Sequence, residues 1–159
     1  MVNQYECKNS FIFVKLNYFI NNSAVNMFQT KERLNFYDCD PAGIIFFASL
    51  LKIAHTVYEK FLVNISPNRN FFFDDEIVLP IIHCEADYHK PLKAFDEIDV
   101  SVSAKQVGDN SFELNYKFEI DSVLYAEAQT VHVCVDKKKF EKTNLPNELK
   151  SKLKEYLLP

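Results

Sequence analysis

The sequence lacks the residues that several large classes of protein need. Its two glycines cannot supply the glycine pattern of a Walker A loop or of a dinucleotide-binding turn. No apolar run approaches the ~18 residues of a membrane-spanning helix, so we expect no membrane partner. The formal net charge of -4 and the pI of about 5.6 argue against a nucleic-acid partner, which would meet a basic surface. The four cysteines include no CxxC pair, which is typical of free thiols in a reducing compartment and predicts a cytoplasmic protein.

Apolar and phenyl-bearing residues, in contrast, are plentiful. The chain has fifteen Phe and eight Tyr, and 48% of its residues are hydrophobic while 25% are charged. This balance is typical of a folded chain, and 159 residues are enough for one domain with a core of ordinary size. We place that domain at residues 29–159.

Residues 1–28 are interpreted as an N-terminal extension. The segment FIFVKLNYFI (residues 11–20) resembles the core of a signal peptide, but the preceding MVNQYECKNS has little positive charge and no A-x-A-like site follows. Two other interpretations remain open. Either Met27 is the natural start and residues 1–26 are upstream sequence translated in error, or the extension is disordered.

Hydrophobic periodicity predicts an α+β domain. TKERLNFY (residues 30–37) alternates as a half-buried strand does, and apolar residues then recur at helical spacing from about Phe47 to Val63. Four strands are predicted at residues 78–89, 97–107, 111–120 and 123–136, and a last helix begins at Pro146. Because strands that are neighbours in sequence usually pair, we expect an antiparallel sheet wrapped around the long central helix.

The corner between the first strand and the helix reads FYDCDPAGII (residues 36–45). Asp-Pro and Gly are turn formers, so the corner could be a turn and nothing more. It could also hold the Asp40 carboxylate beside the first N–H groups of the helix, which lack helical partners and stabilise negative charge. With apolar walls from Ile44, Phe46 and Phe47, such a corner suits acyl transfer to water. Spacing alone does not decide between the two.

The longer segment FYDCDPAGIIFFASLLKIAHTVYEKFL (residues 36–62) resembles the signature of hotdog-fold acyl-CoA thioesterases of the 4-hydroxybenzoyl-CoA thioesterase family. The HxxYExxL pattern from His55 to Leu62 resembles the 1,4-dihydroxy-2-naphthoyl-CoA thioesterases of that family. The match covers roughly residues 29–145. It implies a hotdog fold, an acyl-CoA substrate, no cofactor and no metal, and a homodimer or a dimer-of-dimers tetramer.

The resemblance also implies roles for individual residues. Asp40 matches the catalytic carboxylate, as nucleophile or as general base, and the backbone N–H of Phe47 would hold the thioester carbonyl. Asp38 would be a helper or structural residue. The expected substrate contacts are in the turn, on the helix and at the start of a later strand: Gly43, Ile44, Phe46, His55 and Ser111.

Two departures from the family pattern limit these implications. Many members have a histidine where this chain reads IFF (residues 45–47), so no His-assisted mechanism is expected. The basic cluster that holds CoA phosphates is missing near residue 109, which leaves Lys90, Lys93 and Lys105 as candidates.

The sequence also bears on a metal site and on other activities. His83 and His89 share a strand face but lie ~20 Å apart at ~3.3 Å per residue, too far for one metal ion. A medium-chain fatty acyl-CoA thioesterase and a non-catalytic acyl-CoA-binding hotdog module stay open as alternatives. A dehydratase would need His-containing motifs that the sequence does not have.

Overall fold

A computed structural model describes residues 26–158 of the chain. Residues 1–25 lie outside this range, and with them the segment interpreted as a possible signal peptide and nearly all of the predicted extension. Two helices, α1 (Phe47–Ile65) and α2 (Asn147–Lys154), are accompanied by seven strands. The strands are β1 (Phe28–Arg33), β2 (Ile77–Val78), β3 (Ile81–Tyr88), β4 (Glu97–Val107), β5 (Ser111–Ile120), β6 (Val123–Val133) and β7 (Val135–Asp136).

Five of the strands form one antiparallel sheet in the order β1-β4-β5-β6-β3, so β1 and β3 are its edges. The predicted core face of β4 is confirmed: Ile98, Val100, Val102 and Ala104 are fully buried. Seven of the eight residues of the edge strand β3 are exposed along its length. The sheet therefore has a buried centre and two edge strands, of which β3 has the more exposed side chains.

Helix α1 lies against this sheet as the central helix that the periodicity predicts. Its buried positions come in adjacent pairs four residues apart and form one continuous face, while Lys52, His55 and Glu59 lie exposed on the other. The helix ends at Ile65, two residues later than predicted, because Ile65 is buried one turn after Phe61 and Pro67 follows it. Among residues 26–158, no helix is long and apolar enough to cross a membrane.

Three predicted strands are too long. The first ends at Arg33 and not at residue 37, because the Asn35 N–H donates to the Asp38 carboxylate at 2.9 Å and starts a 3-10 turn, Phe36–Asp38. The predicted strands 78–89 and 123–136 are each interrupted, at Leu79–Pro80 and at Cys134. Their outer pieces, β2 and β7, pair with each other as a separate two-stranded sheet.

Helix α2 closes the far side of the core, where Leu149 and Leu153 are fully buried. The segment after it returns to the sheet, since the Ala104 N–H donates to the Tyr156 carbonyl at 2.8 Å. The Tyr156 ring packs edge-on against Phe61 of α1, with 5.1 Å between the ring centroids. The sheet, α1 and the C-terminal segment thus share one core.

Candidate active site

The corner between β1 and α1 is a closed turn. The Asp40 N–H donates to the Ile44 carbonyl at 2.9 Å, and the Gly43 N–H donates to the Asp40 carbonyl at the same distance. The Asp40 carboxylate accepts the Ala42 N–H at 2.8 Å. Gly43 has φ +77°, a left-handed conformation that glycine adopts without strain. The turn therefore fixes both the main chain and the carboxylate of Asp40.

Helix α1 begins directly after this turn. The Phe46 N–H donates to the Asp38 carbonyl at 2.9 Å, and the Phe46 carbonyl accepts the Ser49 N–H at 2.8 Å. As the first residue of α1, Phe47 has no helical carbonyl four residues before it, so its N–H is open to a ligand. The helix dipole adds partial positive charge at this point.

Asp38 and Asp40 have different surroundings. Asp38 is buried, its carboxylate accepts the Asn35 N–H, and Lys52 Nζ lies 3.8 Å from it. Asp40 is half-buried and faces a cavity. The Asp38 carboxylate is thus used in the hydrogen bonds of the turn, whereas Asp40 lies beside the cavity.

Cys39, between the two carboxylates, is a poor nucleophile. Burial, followed by the negative charges of Asp38 and Asp40, raises the pKa of its thiol above 9.0. Since the thiolate is the reactive form of cysteine, Cys39 stays protonated and unreactive at neutral pH.

The cavity beside Asp40 has a volume of about 520 Å³. Five of the predicted residues meet there, together with Ile45, Tyr88, His89 and Pro91, which sequence reasoning missed. Its lining consists of the turn, the start of α1 and the end of β3: Asp40, Ile44, Ile45, Phe46, Phe47, Tyr88, His89, Lys90 and Pro91. Gly43 shapes the turn without lining the cavity.

Tyr88 connects the two walls of this cavity. It is the last residue of the edge strand β3, and its hydroxyl donates to the Phe47 carbonyl at 2.7 Å. In HCEADYHK (residues 83–90), the sequence pointed to the two histidines and to Lys90 but not to Tyr88. Side chains alternate along β3, so Cys84, Ala86 and Tyr88 share the face towards the helix. This alternation is the signal that could have singled out Tyr88.

The other predicted contacts are not in this cavity. His55 lines a second cavity of about 240 Å³ together with aromatic residues including Tyr58 and Phe72, and its imidazole lies 3.3 Å from Glu59. Ser111 lines neither cavity; its carbonyl accepts the Gly108 N–H at 2.8 Å.

The three candidate lysines are also separated. Lys90 lines the cavity, and the main chain of Lys93 bridges to Ile44 in the turn. Lys105 Nζ instead lies 2.7 Å from Gln129 Oε1 and 3.5 Å from the Glu113 carboxylate, outside the cavity. Lys90 and Lys93 therefore keep a place near the site, and Lys105 does not.

A buried polar chain lies beneath the His55 cavity. The His132 imidazole is fully buried, lies 2.8 Å from the Thr130 hydroxyl and is stacked on Phe112. Burial lowers the pKa of His132 from 6.5 to about 4, so this imidazole is neutral at physiological pH. Burial also raises the pKa of Tyr58, whose ring lies against His132.

Among residues 26–158, no group of three or more His, Cys, Asp or Glu side chains could hold a metal ion. His83 lies beside Glu85 and His89 beside Glu127, each as a separate pair on the surface.

Comparison with known proteins gives a consistent result. The family model described as Thioesterase-like superfamily matches residues 34–153. A 1,4-dihydroxy-2-naphthoyl-CoA hydrolase from Nostoc punctiforme is 33% identical over 123 residues, which cover 77% of this chain and 83% of that protein. The protein of the same name from Rippkaea orientalis is 37% identical over 121 residues, or 74% and 88% of the two chains.

Solved structures agree on the architecture. The crystal structure of a 1,4-dihydroxy-2-naphthoyl-CoA thioesterase from Synechocystis matches with a TM-score of 0.73 and 25% identity, covering 80% of this chain and 96% of that one. The predicted hotdog fold and the predicted family resemblance are both confirmed.

Proposed function

This chain belongs to the thioesterase-like superfamily, and from that premise we propose that it hydrolyses an aromatic acyl-CoA to the free acid and CoA. The acyl group is of the hydroxybenzoyl or dihydroxynaphthoyl type. One observation carries the proposal: a single closed turn brings Asp40 and Phe47, the first residue of α1, to the same cavity of about 520 Å³.

The Phe47 N–H would act on the thioester carbonyl. It is unpartnered within the helix and lies at the positive end of the α1 dipole, where charge developing on the carbonyl oxygen is stabilised. The carbonyl carbon then becomes more electrophilic, and the C–S bond is the bond that breaks.

Asp40 would act by one of two routes, either as the attacking nucleophile or as the base that activates an attacking water molecule. As nucleophile, its carboxylate forms a mixed anhydride with the acyl group and expels CoA thiolate, and water then hydrolyses the anhydride. As general base, it takes a proton from a water molecule that attacks the thioester directly. Both routes give carboxylate and thiol, and both need the half-buried carboxylate that the turn holds against the cavity.

The walls of the cavity favour an apolar, flat ligand with an anionic tail. Phe46, Phe47 and Tyr88 offer aromatic surface, and Lys90 is the cation on the same wall. We place the CoA phosphates beside Lys90 and Lys93. His55 lies eight residues along α1 from Phe47, or ~12 Å at ~1.5 Å per residue, and remains a proposed contact for a hydroxyl of the acyl group.

A homodimer through the β3 edge fits the same site. The strand is open along its length, with Ile81 39% and Ile82 61% exposed at its start, and the unpaired main chain of an edge strand invites pairing with another strand. The cavity lies at the end of this strand, so pairing there would border the active site. We also propose a cytoplasmic location, because the three cysteines among residues 26–158 are free thiols.

The test is a panel of thioesters with a thiol reagent that detects released CoA. Wild type is compared with Asp40→Asn on 4-hydroxybenzoyl-, 1,4-dihydroxy-2-naphthoyl-, phenylacetyl-, decanoyl- and acetyl-CoA. We expect turnover of an aryl thioester and a loss of at least ~100-fold in kcat for Asp40→Asn, the range for removing a general base. The variant keeps the turn, because an amide oxygen can still accept the Ala42 N–H.

Asp99→Asn serves as the matched control, since Asp99 forms only an exposed ion pair with Lys31 at 3.6 Å. Full activity in Asp40→Asn would refute the role of Asp40. Preference for decanoyl-CoA would indicate a medium-chain fatty acyl-CoA thioesterase. Binding of CoA esters without any turnover would indicate a non-catalytic module.

A further inference from the structure

The Phe47 N–H can stabilise an oxyanion only if the first turn of α1 keeps its orientation. Main-chain bonds fix the start of that turn. The Phe47 N–H shares a peptide unit with the Phe46 carbonyl. That carbonyl accepts a hydrogen bond from the Ser49 N–H at 2.8 Å. The preceding N–H, that of Phe46, is bonded to the Asp38 carbonyl at 2.9 Å. The next peptide unit along the helix is fixed in a different way.

A side chain from the sheet makes that next bond. The Tyr88 hydroxyl donates to the Phe47 carbonyl at 2.7 Å, across 41 residues of sequence. A helix carbonyl has a second lone pair that its helical N–H does not use, so the bond adds to the helix without competing with it. Tyr88 is thus a tie between the edge strand β3 and the turn of α1 that presents the Phe47 N–H.

The hydroxyl is suited to this role over a wide pH range. Burial raises the pKa of Tyr88 above 10.0, so the phenol stays protonated and remains a donor at neutral pH. Tyr88 also lines the cavity together with Asp40 and Phe47. The ring of Tyr88 therefore forms part of the cavity wall, and its hydroxyl points towards the main chain of α1.

We infer that Tyr88 is a positioning residue for thioester hydrolysis, which holds the first turn of α1 so that the Phe47 N–H meets the developing oxyanion. The inference rests on the proposed thioesterase function. Tyr88 acts through the Phe47 peptide and takes no proton from the substrate. Because the bond supports the transition state more than ground-state binding, its loss lowers kcat more than it changes KM.

The experiment compares Tyr88→Phe with wild type on the aryl-CoA that turns over best. The variant keeps the ring in the cavity wall and removes only the hydroxyl. Losing one such hydrogen bond should lower kcat by roughly 3- to 10-fold and leave KM within about twofold. Amide hydrogen exchange, followed by mass spectrometry, should become faster in the peptide that covers the first turn of α1.

Tyr156→Phe is the matched control, because it removes a tyrosine hydroxyl from the C-terminal segment, far from the cavity, where Tyr156 packs on Phe61. It should change neither kcat nor exchange at the start of α1. The same exchange experiment shows that Tyr88→Phe is folded, since protection in β4 and β5 must remain that of wild type.

The other outcomes separate the inference from the proposed function. If Asp40→Asn is inactive while Tyr88→Phe keeps kcat within twofold of wild type, the thioesterase function stands and the role of Tyr88 is refuted. A raised KM with unchanged kcat would also refute it, because Tyr88 would then contact the substrate directly. A wild-type protein that hydrolyses no thioester would overturn both.

Discussion

The main-chain N–H of Asp40 donates to the carbonyl oxygen of Ile44, 2.9 Å away, across a turn of only five residues. This bond sets the direction in which the Asp40 side chain leaves the backbone. It also sets where Phe46 and Phe47 begin the helix. One turn therefore positions both the Asp40 carboxylate and the Phe47 N–H, and a substitution that opens the turn should affect both.

Gly43→Ala tests the turn. Gly43 has φ +77°, which costs an L-residue about 1–2 kcal/mol, although a Cβ there meets no atom within 4 Å. We expect the free energy of unfolding in urea to fall by roughly 1 kcal/mol, since the loss of glycine flexibility in the unfolded chain offsets part of the strain. The kcat/KM for thioesters should fall as well.

Gly108→Ala is the control for that measurement. A Cβ at Gly108 lies 3.4 Å from the Ser111 carbonyl oxygen, and Gly108 does not have a positive φ. We expect a smaller change in stability and no change in activity. A larger loss of stability in Gly108→Ala than in Gly43→Ala would contradict the conformational argument.

Lys90→Ala should weaken binding of the CoA portion. Lys90 lines the cavity and Lys105 does not, because Lys105 is engaged by Gln129 and Glu113. We expect KM to rise roughly 3- to 10-fold for Lys90→Ala, the effect of losing one exposed charge-assisted contact to phosphate. Lys105→Ala should leave KM within about twofold of wild type.

The same pair of variants has a salt signature. Added salt screens exposed charges over ~10 Å at 0.1 M ionic strength, so the KM of wild type should rise with salt more steeply than that of Lys90→Ala. Equal salt dependence in the two proteins would remove Lys90 from the phosphate site.

Ile82→Lys tests the open edge of the sheet. Ile82 is 61% exposed on β3, and a charge there opposes pairing with a second copy. Sedimentation equilibrium should show at least a tenfold higher dissociation constant for the dimer. Val123→Lys, at a 41% exposed position outside the β3 edge, should associate as wild type does. If Ile82→Lys associates as tightly as wild type, the interface lies elsewhere.

Stability should depend on pH through His132. Its pKa is lowered from 6.5 to about 4 by burial, so between these values the unfolded chain binds a proton that the folded chain does not. The free energy of unfolding should be highest above pH 6.5 and fall as the pH drops towards 4. The full effect is roughly 3 kcal/mol by the linkage of pKa to stability.

Urea unfolding at several pH values measures this slope. His132→Leu should flatten it between pH 4 and 6.5, whatever it does to stability at neutral pH. Leu114→Val, a buried change in β5, should lower stability at every pH and retain the slope. An unchanged slope in His132→Leu would assign the pH dependence to other groups.

Local pattern was enough to predict most of the fold. The alternation of β4 identified its buried face, and helical spacing located α1 to within two residues. The pieces β2 and β7 were missed because two strands of two residues each carry no period of their own. They form only because residues 77–78 and 135–136 meet in the folded chain.

The sequence could predict which candidate residues lie together only where they are close in the chain. The sequence places Asp40, Ile44, Phe46 and Phe47 within eight residues, and one turn brings them together. Tyr88 and His89 reach the cavity only through the pairing of β3 with β6, which composition and spacing do not specify. His55 was expected at the acyl pocket because the family resemblance implies a pocket-lining residue at that position. It lines a second cavity and stays a proposed contact for the acyl group.

Tyr88 lies on an edge strand, which gives the tie to Phe47 a further consequence. A strand that pairs with β3 would stiffen the segment from which the hydroxyl reaches the helix. Dilution would then lower activity as well as separate the two copies, because each monomer would hold the first turn of α1 less firmly. Specific activity per chain would then rise with enzyme concentration and level off where association is complete.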